Sequence, residues 1–123
     1  MIDTHTHLYL DHFKDDIDEV IHRAVSVGVE KFYLPSISSK YNKSMHDLEN
    51  KFPNRIFCMI GLHPCYVDQN FELEIEFVKK QIKEHDYKAV GEIGIDLFHD
   101  KKYFDQQLIA FEEQIKLSID YDL

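Results

Sequence analysis

Hydrophobic residues along this chain alternate between short apolar runs and longer segments in which they recur every three or four positions. The short runs predict β-strands, and the recurring pattern predicts amphipathic helices. The predicted strands are 2–6, 31–37, 56–62 and 89–95, and the predicted helices are 13–27, 39–51, 71–84 and 103–118. Four successive strand–helix units imply a parallel sheet with right-handed crossovers.

The helical pattern also indicates which faces point inward. In the first helix the inward residues are Ile17, Val20, Ile21, Ala24 and Val25, and in the third they are Ile75, Val78 and Ile82. The last helix repeats Phe104, Leu108, Phe111 and Ile115 at spacings of four, three and four. Pro35 is expected to end regular pairing of the second strand, because proline lacks a backbone donor.

The number of units limits the architecture to two forms. Four βα units are half of an eightfold barrel, and a stand-alone four-stranded α/β layer is the other possibility. No linker, low-complexity tract or charge block divides the chain, so residues 1–123 are expected to form a single domain. A fifth strand should follow the last helix, which favours the half barrel.

Composition limits the kinds of binding partner and the cellular compartment that are expected for this chain. The formal net charge of -9 argues against an ordinary basic nucleic-acid surface, although bound divalent cations would still permit phosphate chemistry. The two cysteines, Cys58 and Cys65, cannot build a disulfide framework and are expected to be inert. The N-terminus has no basic and apolar leader pattern, and no apolar run could span a membrane. We therefore expect a cytoplasmic protein with no signal peptide.

Candidate chemistry begins at Asp3-Thr4-His5-Thr6-His7. Positions i and i+2 of a strand share a face, so His5 and His7 can converge on one metal ion. Asp3 either orients one imidazole or caps the strand end. The alternative for the two histidines is that they are solvated and idle.

A carboxylate lies in the apolar segment Val90-Gly91-Glu92-Ile93-Gly94-Ile95-Asp96. An unpaired charge there would be costly, and a divalent metal would remove that cost for Glu92. A strand-end carboxylate can also bridge two cations, and the glycines permit close approach of a backbone or ligand. Asp96 is either an acceptor behind the metal ligands or a helix-start cap.

His63 follows the third predicted strand and precedes Pro64, which biases it toward an extended or turn conformation at the same sheet edge. It could contact a substrate phosphate or a metal-bound water, or simply pack on its neighbours. His22, His46 and His85 are expected to be solvated, and His99 to lie in a loop near substrate.

Three of these motifs together resemble a known family. Asp-Thr-His-Thr-His-Leu at 3–8, Gly-Leu-His-Pro at 61–64 and Gly-Glu-Ile-Gly-Ile-Asp at 91–96 are similar, in order and spacing, to the TatD family of metal-dependent hydrolases. The stretch from Phe104 to Leu108 is similar as well. The resemblance covers nearly the whole chain, which would be the N-terminal half of the family's (β/α)8 barrel.

The resemblance implies a divalent-metal-dependent deoxyribonuclease that hydrolyses phosphodiesters, with Mg²⁺, Mn²⁺ or Zn²⁺ and two ions in the complete protein. His5 and His7 would bind one metal, Glu92 would be shared and catalytic, and His63 would lie near the DNA substrate. The family pattern continues with a further His, another His and an Asp, none of which occurs in the expected places of this sequence. Its two-metal site would therefore be incomplete.

Two alternatives stay open. One is a related amidohydrolase-like barrel acting on another ester or amide. The other is a non-catalytic half barrel that serves as an assembly module. The open first and fourth strands of a half barrel also predict self-association and poor activity of the 123-residue chain alone.

Overall fold

The computed structural model describes residues 1–99 and 101–123. Its strands are β1 (Ile2–Asp3), β2 (Lys31–Leu34) and β3 (Ile56–Cys58), and its helices are α1 (Ile17–Ser26), α2 (Asn42–Lys51), α3 (Phe71–Gln81) and α4 (Phe104–Asp120). Short 3-10 turns at 11–13 and 39–41 precede α1 and α2. The alternation of strands and helices follows the prediction, and β2 ends one residue before Pro35, as expected.

The sheet is parallel, in the order β1-β2-β3. Ile2 lies opposite Lys31, and Phe32 lies opposite Ile56, so each strand neighbours the next one along the chain. The strands are shorter than predicted, because regular hydrogen bonding between neighbouring strands ends before the apolar runs do. Within residues 1–99 and 101–123, no helix has the length and hydrophobicity needed to cross a lipid bilayer.

The predicted fourth strand is mostly wrong in form, although its position is right. The segment pairs briefly with β3 and its continuation: Lys88 N donates to Cys58 O at 3.0 Å, and an isolated parallel bridge joins Ile60 to Val90. The chain then bends toward the end of β2, where Ser36 N donates to Gly91 O and Glu92 N donates to Ser36 O, at 3.0 and 2.8 Å. Glu92 is therefore fixed by backbone bonds to a neighbouring strand end rather than by a regular ladder.

This bend requires Gly61. A Cβ at residue 61 would lie 2.8 Å from the carbonyl carbon of Gly91 and 3.0 Å from Glu92 O, inside van der Waals contact. At Gly91, which the sequence marked for close approach, a Cβ would meet only Met59 Sδ at 3.7 Å. Gly61 is thus the residue that lets the backbone carrying Glu92 pack on β3's continuation.

The predicted inward faces of α1 and α3 are confirmed. Ile21 is buried and the other α1 residues pack against the main core, while Ile75, Val78 and Ile82 are buried. The main core lies between the sheet and α1, α2 and α3, and a smaller one joins α3 to α4.

Helix α4 buries a different face from the one its apolar spacing suggests. Its buried residues are Gln107, Ala110, Gln114 and Leu117, whereas Phe104, Leu108 and Ile115 are each more than a third exposed. The reason is hydrogen bonding: Gln114 accepts from Leu62 N at 2.6 Å and donates to Leu62 O at 3.3 Å. The amide side chain pairs with a backbone that has left the ladder, which apolar periodicity alone does not reveal.

Candidate metal centre

The two alternate histidines lie just beyond β1. Thr6 N donates to Tyr33 O at 3.2 Å, so the backbone between them stays beside β2. Asp3 Oδ1 accepts from His5 N at 3.1 Å. The carboxylate of Asp3 therefore holds the backbone at the strand end, the second of its two predicted roles, and this bond orients no imidazole.

Both imidazoles converge on Glu92. His5 Nε2 lies 3.0 Å and His7 Nε2 lies 3.3 Å from Glu92 Oε2. The other carboxylate oxygen, Oε1, lies 3.2 Å from His63 Nε2. We call these four residues, His5, His7, His63 and Glu92, the Glu92 centre. The sheet edge thus brings together every residue that the sequence singled out for metal or catalysis.

Hydrogen bonds assign the proton on His7. Tyr9 OH donates its one proton to Pro35 O at 2.7 Å, so it accepts from His7 Nδ1, 2.9 Å away. Neutral His7 consequently carries its proton on Nδ1 and presents the Nε2 lone pair to Glu92. Burial, the largest cause, lowers the pKa of His7 and favours this neutral ring.

The same reasoning gives the opposite result for His63. Its Nδ1 accepts from Cys65 N at 3.0 Å, so the neutral ring carries its proton on Nε2. Nε2 then donates to Glu92 Oε1. Within one centre, His7 presents a lone pair and His63 presents an N–H donor.

The donor set fits a divalent cation. A lone pair on His7 Nε2 faces a carboxylate oxygen at 3.3 Å with no proton to join them, an arrangement that a cation between them would stabilise. The ligand atoms of His5, His7 and Glu92 all lie within 4.8 Å of one another. His5 is 55% exposed and Glu92 is 27% exposed, so an ion could reach the centre from solvent.

Asp96 lies apart from the bonds that join the Glu92 centre. Its Oδ1 accepts from the backbone N–H groups of Phe98 and His99 at 2.9 and 3.0 Å, and Oδ2 lies 3.0 Å from His99 Nδ1. It therefore caps the turn at 96–99, several residues before α4 begins. Neither of its two predicted roles, an acceptor behind the metal ligands or a helix-start cap, matches these bonds.

The prediction that His46 and His85 are solvated is wrong. Their rings stack with centroids 4.1 Å apart, His46 Nε2 bonds Tyr87 OH at 2.9 Å, and His85 Nε2 bonds Glu49 Oε2 at 2.7 Å. We call His46, His85, Tyr87 and Glu49 the Glu49 cluster. The polar sequence around these histidines hid the contact because α2 and the segment after α3 meet only in the folded chain.

The role of Tyr9 was also missed. The signal was present, because Tyr9 follows His7 at i+2, the same spacing that pairs His5 with His7. Burial is the main cause that raises the pKa of the Tyr9 phenol, which keeps its proton available for Pro35.

Solved structures confirm the barrel expectation. The crystal structure of YjjV, a TatD homolog from Escherichia coli K12, matches this chain with a TM-score of 0.89 and 30% identity, over 100% of this chain and 48% of YjjV. A hydrolase TatD family protein from Entamoeba histolytica shares the fold, with a TM-score of 0.72 and 24% identity over 99% of this chain and 46% of that one. The chain therefore has the architecture of half of a TatD-type (β/α)8 barrel.

Sequence comparison defines the family. A family model described as TatD related DNase matches residues 2–123, and the chain belongs to this family. The uncharacterized metal-dependent hydrolase YjjV of Escherichia coli K12 is 33% identical over 125 residues, which cover 99% of this chain and 48% of YjjV. The 3'-5' ssDNA/RNA exonuclease TatD of Erwinia billingiae is 23% identical over 118 residues, which cover 96% of this chain and 45% of that protein. The chain spans about half the length of these curated relatives.

Proposed function

We propose that the intact protein is a divalent-metal-dependent hydrolase that cleaves phosphodiester bonds in DNA. The observation that carries this proposal is the convergence of His5 Nε2 and His7 Nε2 on one oxygen of Glu92, with His63 on the other. Membership in the TatD family and relatives named as exonucleases or hydrolases support the same activity.

In this proposal each residue has a separate role. His5, His7 and Glu92 hold the cation, and Tyr9 keeps His7 in the tautomer that can bind it. A divalent cation held there, Mg²⁺, Mn²⁺ or Zn²⁺, would supply charge to orient the scissile phosphate, to activate a water and to stabilise the leaving oxygen. His63 offers its Nε2–H to a phosphate oxygen of the substrate.

We propose that Glu92 would serve a second ion as well. Its two oxygens face different partners, and a strand-end carboxylate can be shared between two cations. Within residues 1–99 and 101–123, His5, His7 and Glu92 are the ligands assigned to such a pair, and we propose that the remaining ligands belong to the rest of a complete barrel.

A test of the proposal uses the intact protein, metal-free and then reloaded with Mg²⁺, Mn²⁺ or Zn²⁺. Single-stranded DNA with a labelled end should be degraded only after metal is restored, and Glu92→Gln should abolish degradation. Glu49→Gln is the matched control, because Glu49 also bonds a histidine but lies in the Glu49 cluster. Full DNA hydrolysis by Glu92→Gln would contradict the assignment of Glu92 as a metal ligand and with it the proposed function.

An ester or amide substrate is the second candidate. The net charge of -9 favours it over DNA, because affinity for a polyanion normally comes from Lys and Arg. Small phosphodiesters, esters and amides assayed beside DNA separate the two. Turnover of an ester or amide with no cleavage of DNA would establish the second candidate, and no turnover at all would leave the non-catalytic module.

We also propose that the 123-residue chain by itself is poorly active and self-associates. Strand β1 is an edge of the sheet, and Ile109 and Ile119 of α4 are more than half exposed. Size-exclusion chromatography with light scattering should show dimers or larger species. A monodisperse monomer with full metal-dependent turnover would contradict this.

A further inference from the structure

A second group of metal-ligand side chains lies in the loops after β3 and after Glu92. It comprises Cys65, Asp96 and His99, whose ligand atoms all lie within 4.8 Å of one another. Together they line a cavity of about 340 Å³. Their side chains are not among those that form the Glu92 centre, although the backbone N–H of Cys65 donates to His63 Nδ1.

The spacing of these atoms suits tetrahedral coordination. Cys65 Sγ lies 3.7 Å from His99 Nδ1, which lies 3.0 Å from Asp96 Oδ2. A tetrahedral Zn²⁺ with ordinary bond lengths separates sulfur from nitrogen by about 3.6 Å and nitrogen from oxygen by about 3.4 Å. An ion could therefore enter with side-chain shifts of a few tenths of an ångström.

Hydrogen bonds fix the orientation of the Asp96 carboxylate. Asp96 Oδ1 accepts two backbone N–H groups, and Gln107 bonds both the N–H and the carbonyl of Asp96, at 2.8 and 3.1 Å. These bonds to His99 and the backbone lower the pKa of Asp96, so it is ionised at neutral pH. Oδ2 is left facing His99 and the cavity, as expected for a ligand fixed by outer hydrogen bonds.

We propose that Cys65, Asp96 and His99 bind a Zn²⁺ ion, with water in the fourth position, as a site separate from the Glu92 centre. Thiolate, imidazole and carboxylate are the ligands that zinc prefers. On binding, Cys65 releases its thiol proton to solvent, and the ring proton of His99 moves to Nε2, which frees Nδ1 for the metal.

The site would also influence the Glu92 centre through one loop. Cys65 N donates to His63 Nδ1, the bond that places the His63 proton on Nε2. A metal on the Cys65 side chain would hold this loop in place, and with it the donor that faces Glu92.

The Glu49 cluster neighbours a rival thiol, Cys58. The Cys58 side chain already bonds Met45 O, and Glu49 accepts from both Cys58 N and His85. Because the Cys58 thiol and the Glu49 carboxylate already have these hydrogen-bond partners, the Glu49 cluster is less suited to bind a metal. The experiment below distinguishes a metal on Cys58 from a metal on Cys65.

Cobalt is the probe, because Co²⁺ bound to a thiolate gives a charge-transfer absorption band that oxygen and nitrogen ligands do not. The intact protein should show this band on titration with Co²⁺, and so should Glu92→Gln, whose proposed catalytic metal site is disabled. Cys65→Ser and His99→Ala should lose the band or weaken it strongly, and should bind Zn²⁺ at least about 10-fold more weakly in competition with a chromophoric chelator.

Cys58 is the other cysteine of residues 1–123, so Cys58→Ser is the matched control and should keep the band. A band that survives in folded Cys65→Ser places the metal on another thiol and overturns the proposal, as does the absence of any band in the unmodified protein. Circular dichroism establishes that each variant is folded. His99→Ala provides the test if Cys65→Ser is not folded. Loss of the band in Glu92→Gln would show that the two sites are one.

Discussion

The Glu92 centre and the Glu49 cluster contain similar side chains, yet their hydrogen bonds are arranged differently. Each has a carboxylate and more than one histidine, a tyrosine bonds one histidine of each, and the exposed fractions of Glu92 and Glu49 are similar, at 27% and 18%. Burial therefore does not separate them. The direction of their hydrogen bonds does.

In both groups a tyrosine oxygen accepts a hydrogen bond from a histidine N–H. Tyr9 accepts from His7 Nδ1–H because its own hydroxyl donates to Pro35 O, whereas Tyr87 accepts from His46 Nε2–H because its own hydroxyl donates to Asn42 Oδ1. The first leaves a lone pair aimed at a carboxylate. The second joins a network in which Glu49 already accepts from Cys58 N and bonds His85.

The difference teaches how to tell a functional cluster from a structural one in this fold. A structural cluster pairs each donor with an acceptor, and the described side chains contain no buried polar atom without a partner. In the Glu92 centre, by contrast, two acceptors, His7 Nε2 and Glu92 Oε2, face one another at 3.3 Å, and we propose that a cation lies between them. The predictions below test this contrast, beginning with the largest effect.

Removing the charge of Glu92 should lower activity, whereas removing the charge of Glu49 should lower stability. Glu92→Gln should reduce hydrolysis by more than about 100-fold, because losing a metal ligand costs at least as much as losing its outer support. Glu49→Gln should leave kcat unchanged and lower the free energy of unfolding by about 1–3 kcal/mol. Steady-state assays and urea denaturation measure the two quantities, and equal loss of activity in both variants would contradict the contrast.

Of these two groups, the Glu92 centre alone should let Mg²⁺ stabilise the protein; Mg²⁺ is the probe because a thiolate-containing site such as Cys65, Asp96 and His99 does not favour it. At a free Mg²⁺ concentration 100 times its Kd, the intact protein should gain about 2.7 kcal/mol, since only the folded state binds. Glu49→Gln should keep this gain and Glu92→Gln should lose it. Thermal denaturation with and without a chelator provides the measurement. A shift that depends on Glu49 instead would mean that the ion binds elsewhere.

Removing the two phenol hydroxyls is a finer comparison. Tyr9→Phe and Tyr87→Phe should each lower the free energy of unfolding by about 1–2 kcal/mol, because each strands two hydrogen-bond partners. Only Tyr9→Phe should also weaken metal affinity, by about 10–100-fold, since it frees the tautomer of His7. Isothermal titration calorimetry on both variants checks this, and matched affinities would refute the role assigned to Tyr9.

The smallest expected effect is the pH dependence of the Glu49 cluster. Burial, followed by His85, lowers the pKa of His46 from 6.5, against the opposing charges of Glu49 and Asp47. The unfolded chain then binds the proton more tightly, so this contribution is present above about pH 6.5 and is lost as the pH falls through the folded pKa. His46→Gln should show a shallower decline in stability between pH 7.5 and 5 than the unmodified protein. Parallel curves would show that His46 contributes nothing.

Much of the fold could be predicted because periodicity reports directly on burial. The order of strands and helices and the inward faces of α1 and α3 follow from apolar spacing. The α4 face did not follow, because two glutamines occupy it and bond backbone groups of Leu62 and Asp96. Hydrophobic spacing does not reveal these hydrogen bonds, because folding alone brings the loops of Leu62 and Asp96 next to the two glutamines.

The sequence by itself determined which residues could meet at the edge of a parallel sheet. His5, His7, His63 and Glu92 lie at or near the ends of predicted strands, and parallel strands carry their carboxyl ends to one edge. Only the tertiary structure decided which nitrogen of His7 holds the proton, since folding brings Pro35 O to the Tyr9 hydroxyl that bonds His7. The tautomer of His63 is set locally by Cys65 N, two residues away, whereas His46 and His85, polar by pattern, became a packed pair because their partners are distant in sequence.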